Sequence, residues 1–229
     1  MLPALGWGAL AASSLVVGAL LALARAWSDR AIGAVLAFGA GALIRAVSFE
    51  LAEEGIAIGG AASVGIGIAA GALAYFFADR AVERRFTGAG WGLALGALLD
   101  GIPEQAVLGI GIASGQGVSV ALLLAVFVSN VPEAMGSAND MRSSGRSRAF
   151  IVRMWTAVAV LCALCTAIGW LLADVTGGHI KAGINGFAAG ALLVMLTDSM
   201  IPEVRSKGGL PSGLIVALGF AVAAGLSSL

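Results

Sequence analysis

Charge is what this chain has least of. Only 11% of its 229 residues are Asp, Glu, Lys or Arg, while 59% are hydrophobic; a soluble domain carries about a quarter charged residues. Such a chain cannot cover a water-facing surface. There is one histidine, His179, and there are two cysteines, Cys162 and Cys165. With so few cysteines a disulfide-stapled scaffold is excluded. The cysteines stand three apart in an apolar run with no second pair, so they read as small packing residues rather than a redox or metal motif. The net charge is zero, which gives no basis for a nucleic-acid partner.

What the chain has instead is apolar length. Mean hydropathy is +0.99, and the runs between polar punctuation are long enough to cross a hydrocarbon core about 30 Å thick, which takes about 20 residues. Eight spans are expected, over residues 5–24, 31–51, 62–77, 91–113, 118–141, 150–173, 184–203 and 212–226. The first lacks a basic leader and reads as a retained span rather than a signal peptide. Glu50, Glu53 and Glu54 close the second, ahead of Gly55 and Gly59-Gly60; residues 174–181, with His179, form a short connection. The 34 glycines suit close helix approach.

The basic residues alternate along this map. Eleven of the 13 fall in the odd-numbered connections: Arg25 and Arg30; Arg80, Arg84 and Arg85; Arg142, Arg146, Arg148 and Arg153; Arg205 and Lys207. Lys181 and Arg45 are the exceptions. Positive charge favours the cytoplasmic side of short loops, so both termini are expected to be extracytoplasmic. Trp27, Trp91, Trp155 and Trp170 fall near predicted helix ends, where interfacial anchors belong. The fold expected is an all-α membrane protein, one domain over residues 1–229.

An internal echo subdivides it. Phe38-Gly39-Ala40-Gly41-Ala42-Leu43-Ile44 matches Phe187-Ala188-Ala189-Gly190-Ala191-Leu192-Leu193, and Glu54 matches Glu203 at the same offset. With the alternating topology this predicts a 3+2+3 arrangement with inverted repeats, repeat 1 over about 5–77 and repeat 2 over about 150–226, around a central helix pair over about 91–141. Inverted repeats and proline-interrupted helices are transporter devices.

Three polar stretches interrupt the apolar runs. Asp100-Gly101-Ile102-Pro103-Glu104 lies in the fourth span and Ser129-Asn130-Val131-Pro132-Glu133 in the fifth; Asp198-Ser199-Met200-Ile201-Pro202-Glu203 ends the seventh. Ionisable groups at membrane depth are costly and mark function more often than packing. Asp100 and Glu104 share a helix face by their i,i+4 spacing, as do Ser129 and Glu133, with Asn130 beside them. Pro103 and Pro132 break the backbone ladder, which is tolerated where a helix faces protein or a cavity. Carboxylates gathered there must be protonated or neutralised by a cation. Hard oxygen ligands with an amide suit a divalent ion. A proton or organic-solute path, and plain structural pairing with Arg45, remain open from the residues alone. Glu50 and Glu54, i,i+4 near the outer end of the second span, are candidates for an entrance, and Asp198 and Glu203 for an exit.

These three stretches and the Phe38–Glu54 segment resemble the ZIP family of divalent metal transporters. The resemblance covers four helices by motif and nearly the whole chain by topology. It implies a metal site of Asp100, Glu104, Asn130 and Glu133, with Glu104 and Glu133 at the positions of bridging glutamates. Asp100 stands where the family has histidine and Gly101 where it has asparagine; Ser129 stands where histidine or glutamine is common. The sixth span has no acid to match the glutamate that two-metal members take from it, and the fifth connection carries arginine and serine instead of a histidine-rich loop. A homodimer is also implied.

The function expected is transport of a divalent cation (Zn, Mn, Fe or Cd) toward the cytoplasm, the metal being substrate and no cofactor being required. The partners are that cation and membrane lipid, without nucleic acid; the location is an integral position in a prokaryotic cytoplasmic membrane. No nucleotide-binding or catalytic pattern is present, so an enzyme is not expected. The alternatives are a transporter of another ion or small solute, suggested by the missing histidines, and a non-transporting structural or sensing protein in which Arg45 pairs with the central acids.

Overall fold

Eight continuous helices form the protein in a computed structural model that describes residues 1–25, 27–85, 91–113, 120–173, 177–207 and 211–226. They are α1 (Leu2–Ala24), α2 (Asp29–Gly59), α3 (Ala61–Arg85), α4 (Trp91–Ala113), α5 (Val120–Ser143), α6 (Arg148–Ala173), α7 (Gly178–Ser206) and α8 (Ser212–Leu226). Asp100 and Ser129 are described in backbone only.

The all-α fold stands, but the expected number of spans does not. Among the described residues five helices are long and apolar enough to cross a membrane: α1, α2, residues 61–82 of α3, α6 and α7. Physical reasons for the difference lie in the other three. Helix α8 has 15 residues, about 22 Å at 1.5 Å per residue, short of a 30 Å core. The Asp-Gly-Ile-Pro-Glu-Gln stretch dilutes the apolar run of α4, and α5 carries Asn130, Glu133, Asn139, Asp140 and Arg142. Five such helices replace the eight-span, 3+2+3 inverted-repeat arrangement with both termini extracytoplasmic. The sidedness read from alternating charge rested on eight spans and goes with it.

Helix ends follow local chemistry. Ser28 caps α2, its Oγ accepting from Ala31 N at 3.2 Å, and Asp29 adds a negative charge to the first turn. Ser147 Oγ likewise accepts from Phe150 N at 3.2 Å at the start of α6. Gly145, with φ +81°, closes α5 as its N–H reaches back to Arg142 O. Gly60, with φ +85°, is the whole connection between α2 and α3.

Helix α2 is longer than its sequence suggests. Residues Ala46–Glu53 form a π-helical segment, and α-helix resumes over Glu54–Gly59. Glu50, Glu53 and Glu54 therefore lie inside a helix rather than ending one. Helix α7 has the same construction, with a π segment at Leu196–Met200 followed by Ile201–Ser206. Pro202 falls in the first turn of that last piece, where a missing N–H is least costly. His179 is also helical, in the first turn of α7. Its Nδ1–H donates to Gly59 O at 2.8 Å, tying α7 to the end of α2.

Packing is set by glycines. Helix α2 crosses α8 where Gly41 meets the backbone of Val216 and Phe220 and where Gly219 meets the Phe38 carbonyl. Helix α7 crosses α3 where Gly190 meets the backbone of Ile68 and Ala72 and where Gly71 meets the Phe187 carbonyl. Phe38 and Gly41 are the echo positions of Phe187 and Gly190, so the same four-point contact occurs twice. The core between the helices contains Leu15, Leu36, Leu43, Leu51, Leu192 and Trp155, all buried. Trp155 is thus a core residue and not an interfacial anchor, while Trp27 is exposed between α1 and α2.

Candidate functional site

The polar stretches lie inside continuous helices: Pro103 in α4 and Pro132 in α5 are both buried, and the two helices touch. Helix α4 packs most extensively on α6, and α5 on α1 and α2. Each central helix is thereby sheltered by apolar neighbours, which is the setting in which a polar helix is tolerated in a membrane.

Glu104 on α4 is 1% exposed and Asn130 on α5 is 3% exposed. Glu133, one turn along from Asn130, is half-buried. A carboxylate so deeply buried must be compensated by a donor, a proton or a cation. Asp100 and Ser129 lie one turn before Glu104 and Glu133 in backbone register, with side chains outside the described residues. Among the described residues no three His, Cys, Asp and Glu side chains cluster.

Arg45 has a partner in its own helix. Its Nη1 pairs with Glu50 Oε1, both side chains being nearly buried, and its guanidinium lies 5.7 Å from the Phe49 ring centroid. The π segment makes this i,i+5 pairing possible, because widening the turn brings those positions onto one face. Glu50 is therefore engaged by Arg45, and Glu54, half-buried, follows the π segment.

At the other end, Glu203 leaves α7 toward α5. Its Oε1 lies 3.3 Å from where a side chain at Gly136 would begin, one turn beyond Glu133. The same oxygen is 3.3 Å from Lys207 Nζ. Asp198 is exposed on the π segment of α7, with Oδ1 3.5 Å from Thr197 Oγ1. Glu203 is thus placed beside the central helix, and Asp198 is not.

One polar seam escaped the sequence reading. Helices α4 and α6 run parallel, matching Gly101 with Cys162, Gln105 with Thr166, and Gly109 with the backbone from Thr166 to Trp170. Gln105 and Thr166 are buried and joined by a hydrogen bond from the Thr166 hydroxyl to Gln105 Oε1. The i,i+4 spacing of Cys162 and Thr166 is the signal that was there to be read.

No family model matches the chain. Over 128 residues, 53% of its length, it is 28% identical to the zinc transporter SLC39A7 of Mus musculus. The likeness is to a transporter of metal. The aligned part spans 27% of that protein, so the chain corresponds to a minor share of its relative. The chain is an all-α membrane protein with several apolar spans, weakly related to a metal-ion transporter family. The buried acid and amide on α4 and α5 are the features for which such a relationship has a use.

Proposed function

We propose that this protein carries a divalent metal cation across the membrane toward the cytoplasm in the manner of a ZIP transporter. The observation that carries the reading is Glu104, 1% exposed in the bundle and set on a proline-bearing helix that touches the helix of buried Asn130. Glu104 and Glu133 would supply anionic oxygen and Asn130 a neutral one. Asp100 and Ser129, one helical turn away, would complete the set. An all-oxygen set is hard and discriminates weakly among divalent ions. Glu50 and Glu54 would lie toward the entrance, and Glu203, beside α5, toward the exit; Asp198 is the more exposed member of that end.

The Arg45–Glu50 pair bears on the non-transporting alternative. That alternative needed the guanidinium to neutralise the central acids, and its charge is engaged by Glu50. The missing histidines keep a non-transition-metal ion as the competing substrate.

The test is uptake by liposomes holding the full chain, with Zn, Mn, Fe, Cd and Mg offered in turn. Glu104→Gln and Glu133→Gln should each lower flux by at least about tenfold, since either removes a charged ligand. Absence of flux with every cation, in verified folded protein, would sink the transport reading. Equal flux in both variants would sink the site.

A further inference from the structure

The seam between α4 and α6 holds a thiol beside the backbone of the acidic stretch. A side chain at Gly101 would begin 2.6 Å from Cys162 Sγ and 3.8 Å from Cys162 Cβ. The sulfur therefore occupies the space that residue 101 leaves empty, between Asp100 and Glu104 along the helix. Cys162 is 1% exposed, as is Glu104. One turn further along the same seam is Gln105, also 1% exposed. Its Oε1 accepts from Thr166, while Nε2 has no hydrogen-bond partner among the described residues.

A seam built only for packing would not bury an amide donor without an acceptor, because such a group loses its water and gains nothing. Neutral thiol is a weak acceptor, whereas metal-bound thiolate is a strong one that N–H donors stabilise. A buried donor, a thiol one turn away and a buried carboxylate on the adjoining face are the parts of a mixed sulfur–oxygen cation site.

Resting on the metal-transport reading, we propose that Cys162 Sγ is a ligand of the cation held by Glu104, that Gln105 is a positioning residue donating to that sulfur, and that the sulfur biases the site toward thiophilic divalent ions. As the sulfur–metal bond forms the S–H bond breaks, and its proton passes to water or a neighbouring carboxylate; nothing is oxidised. Oxygen ligands alone suit Mg and Mn as well as Zn, whereas thiolate selects the softer ions.

Co(II) added to the purified full chain in detergent is the direct probe, because thiolate ligation produces an intense near-ultraviolet charge-transfer band that oxygen ligands do not. The band should appear in the parent chain and in Cys165→Ser and disappear in Cys162→Ser and Cys162→Ala. Cd(II) affinity should fall at least about tenfold in the two Cys162 variants, in the range expected for disturbing a metal's ligand environment, while Mn(II) affinity changes less than about twofold. Gln105→Leu should keep the band but shift it and weaken Cd(II) binding; an unchanged spectrum and affinity would remove Gln105 from the proposal. Co(II) binding that depends on Glu104 but gives no Cys162-dependent band would overturn the sulfur ligand and leave the carboxylate site standing. Binding that is absent, or indifferent to Glu104→Gln, would overturn both.

Discussion

Arg45 shows how much one residue depends on backbone geometry that composition does not reveal. Read along an ideal α-helix, Arg45 and Glu50 are on different faces, and the guanidinium looks available to Glu104 or Asp100. The π segment from Ala46 to Glu53 brings Arg45 and Glu50 together instead. Their side chains are 11% and 12% exposed, so the pair belongs to the interior, where removing one partner leaves an uncompensated charge. Glu50→Gln should therefore cost about 3 kcal/mol, the lower end for breaking a buried pair, and Arg45→Met/Glu50→Met should recover most of it. Thermal unfolding in detergent measures both. A Glu50→Gln variant as stable as the parent would mean that the pair does not hold the π segment together. The central acids were legible as residues, because carboxylate beside proline in an apolar run is rare. Cys162 and Gln105 were not, since their meaning comes from facing each other's helices across the α4–α6 seam.

Helices were legible as elements from apolar length and polar punctuation: all eight exist, and 91–113 and 212–226 carry the predicted bounds. The misses have physical causes. Glutamates at 50, 53 and 54 looked like a stop signal, yet the helix continues to Gly59 because they fall within and just after a π turn packed on α7. His179 looked like loop, yet Gly177 caps a helix that begins at the next residue. Which glycines matter was also invisible, because α3 contains several in similar contexts. Gly71 lies against the Phe187 carbonyl of α7, while a side chain at Gly65 would meet nothing within 4 Å. Gly71→Ala should lose about 1–3 kcal/mol through overpacking, whereas Gly65→Ala should be neutral or gain up to about 1 kcal/mol from helix propensity. Equal melting temperatures for the two variants would show that the α3–α7 crossing is not set by close glycine contact.

For the whole molecule, hydropathy separates two kinds of helix that the sequence map treated alike. Helices α1, α2, α6 and α7 are apolar spans with polar interruptions confined to their ends or π segments; α4 and α5 carry their acids within the helix body. The π segments of α2 and α7 place acids at Glu50 and Glu203 against this polar pair from opposite echo positions. Glu203 matters most for passage, because its carboxylate reaches α5 at Gly136, one turn past Glu133, and is met there by Lys207. A cation leaving Glu133 would find Glu203 next and would have to compete with the Lys207 ammonium for it. Under the proposed transport, Glu203→Gln removes that stepping point and should lower uptake several-fold in liposomes. Lys207→Ala removes the competitor and should leave uptake equal or higher at low ionic strength, with the difference shrinking as salt screens the exposed pair. In the double variant the Lys207 change should have nothing left to act on, so uptake should match Glu203→Gln alone. Uptake that is unchanged in Glu203→Gln, with Glu104→Gln still inactive, would place the exit elsewhere in the bundle while keeping the central acids as the carrier site.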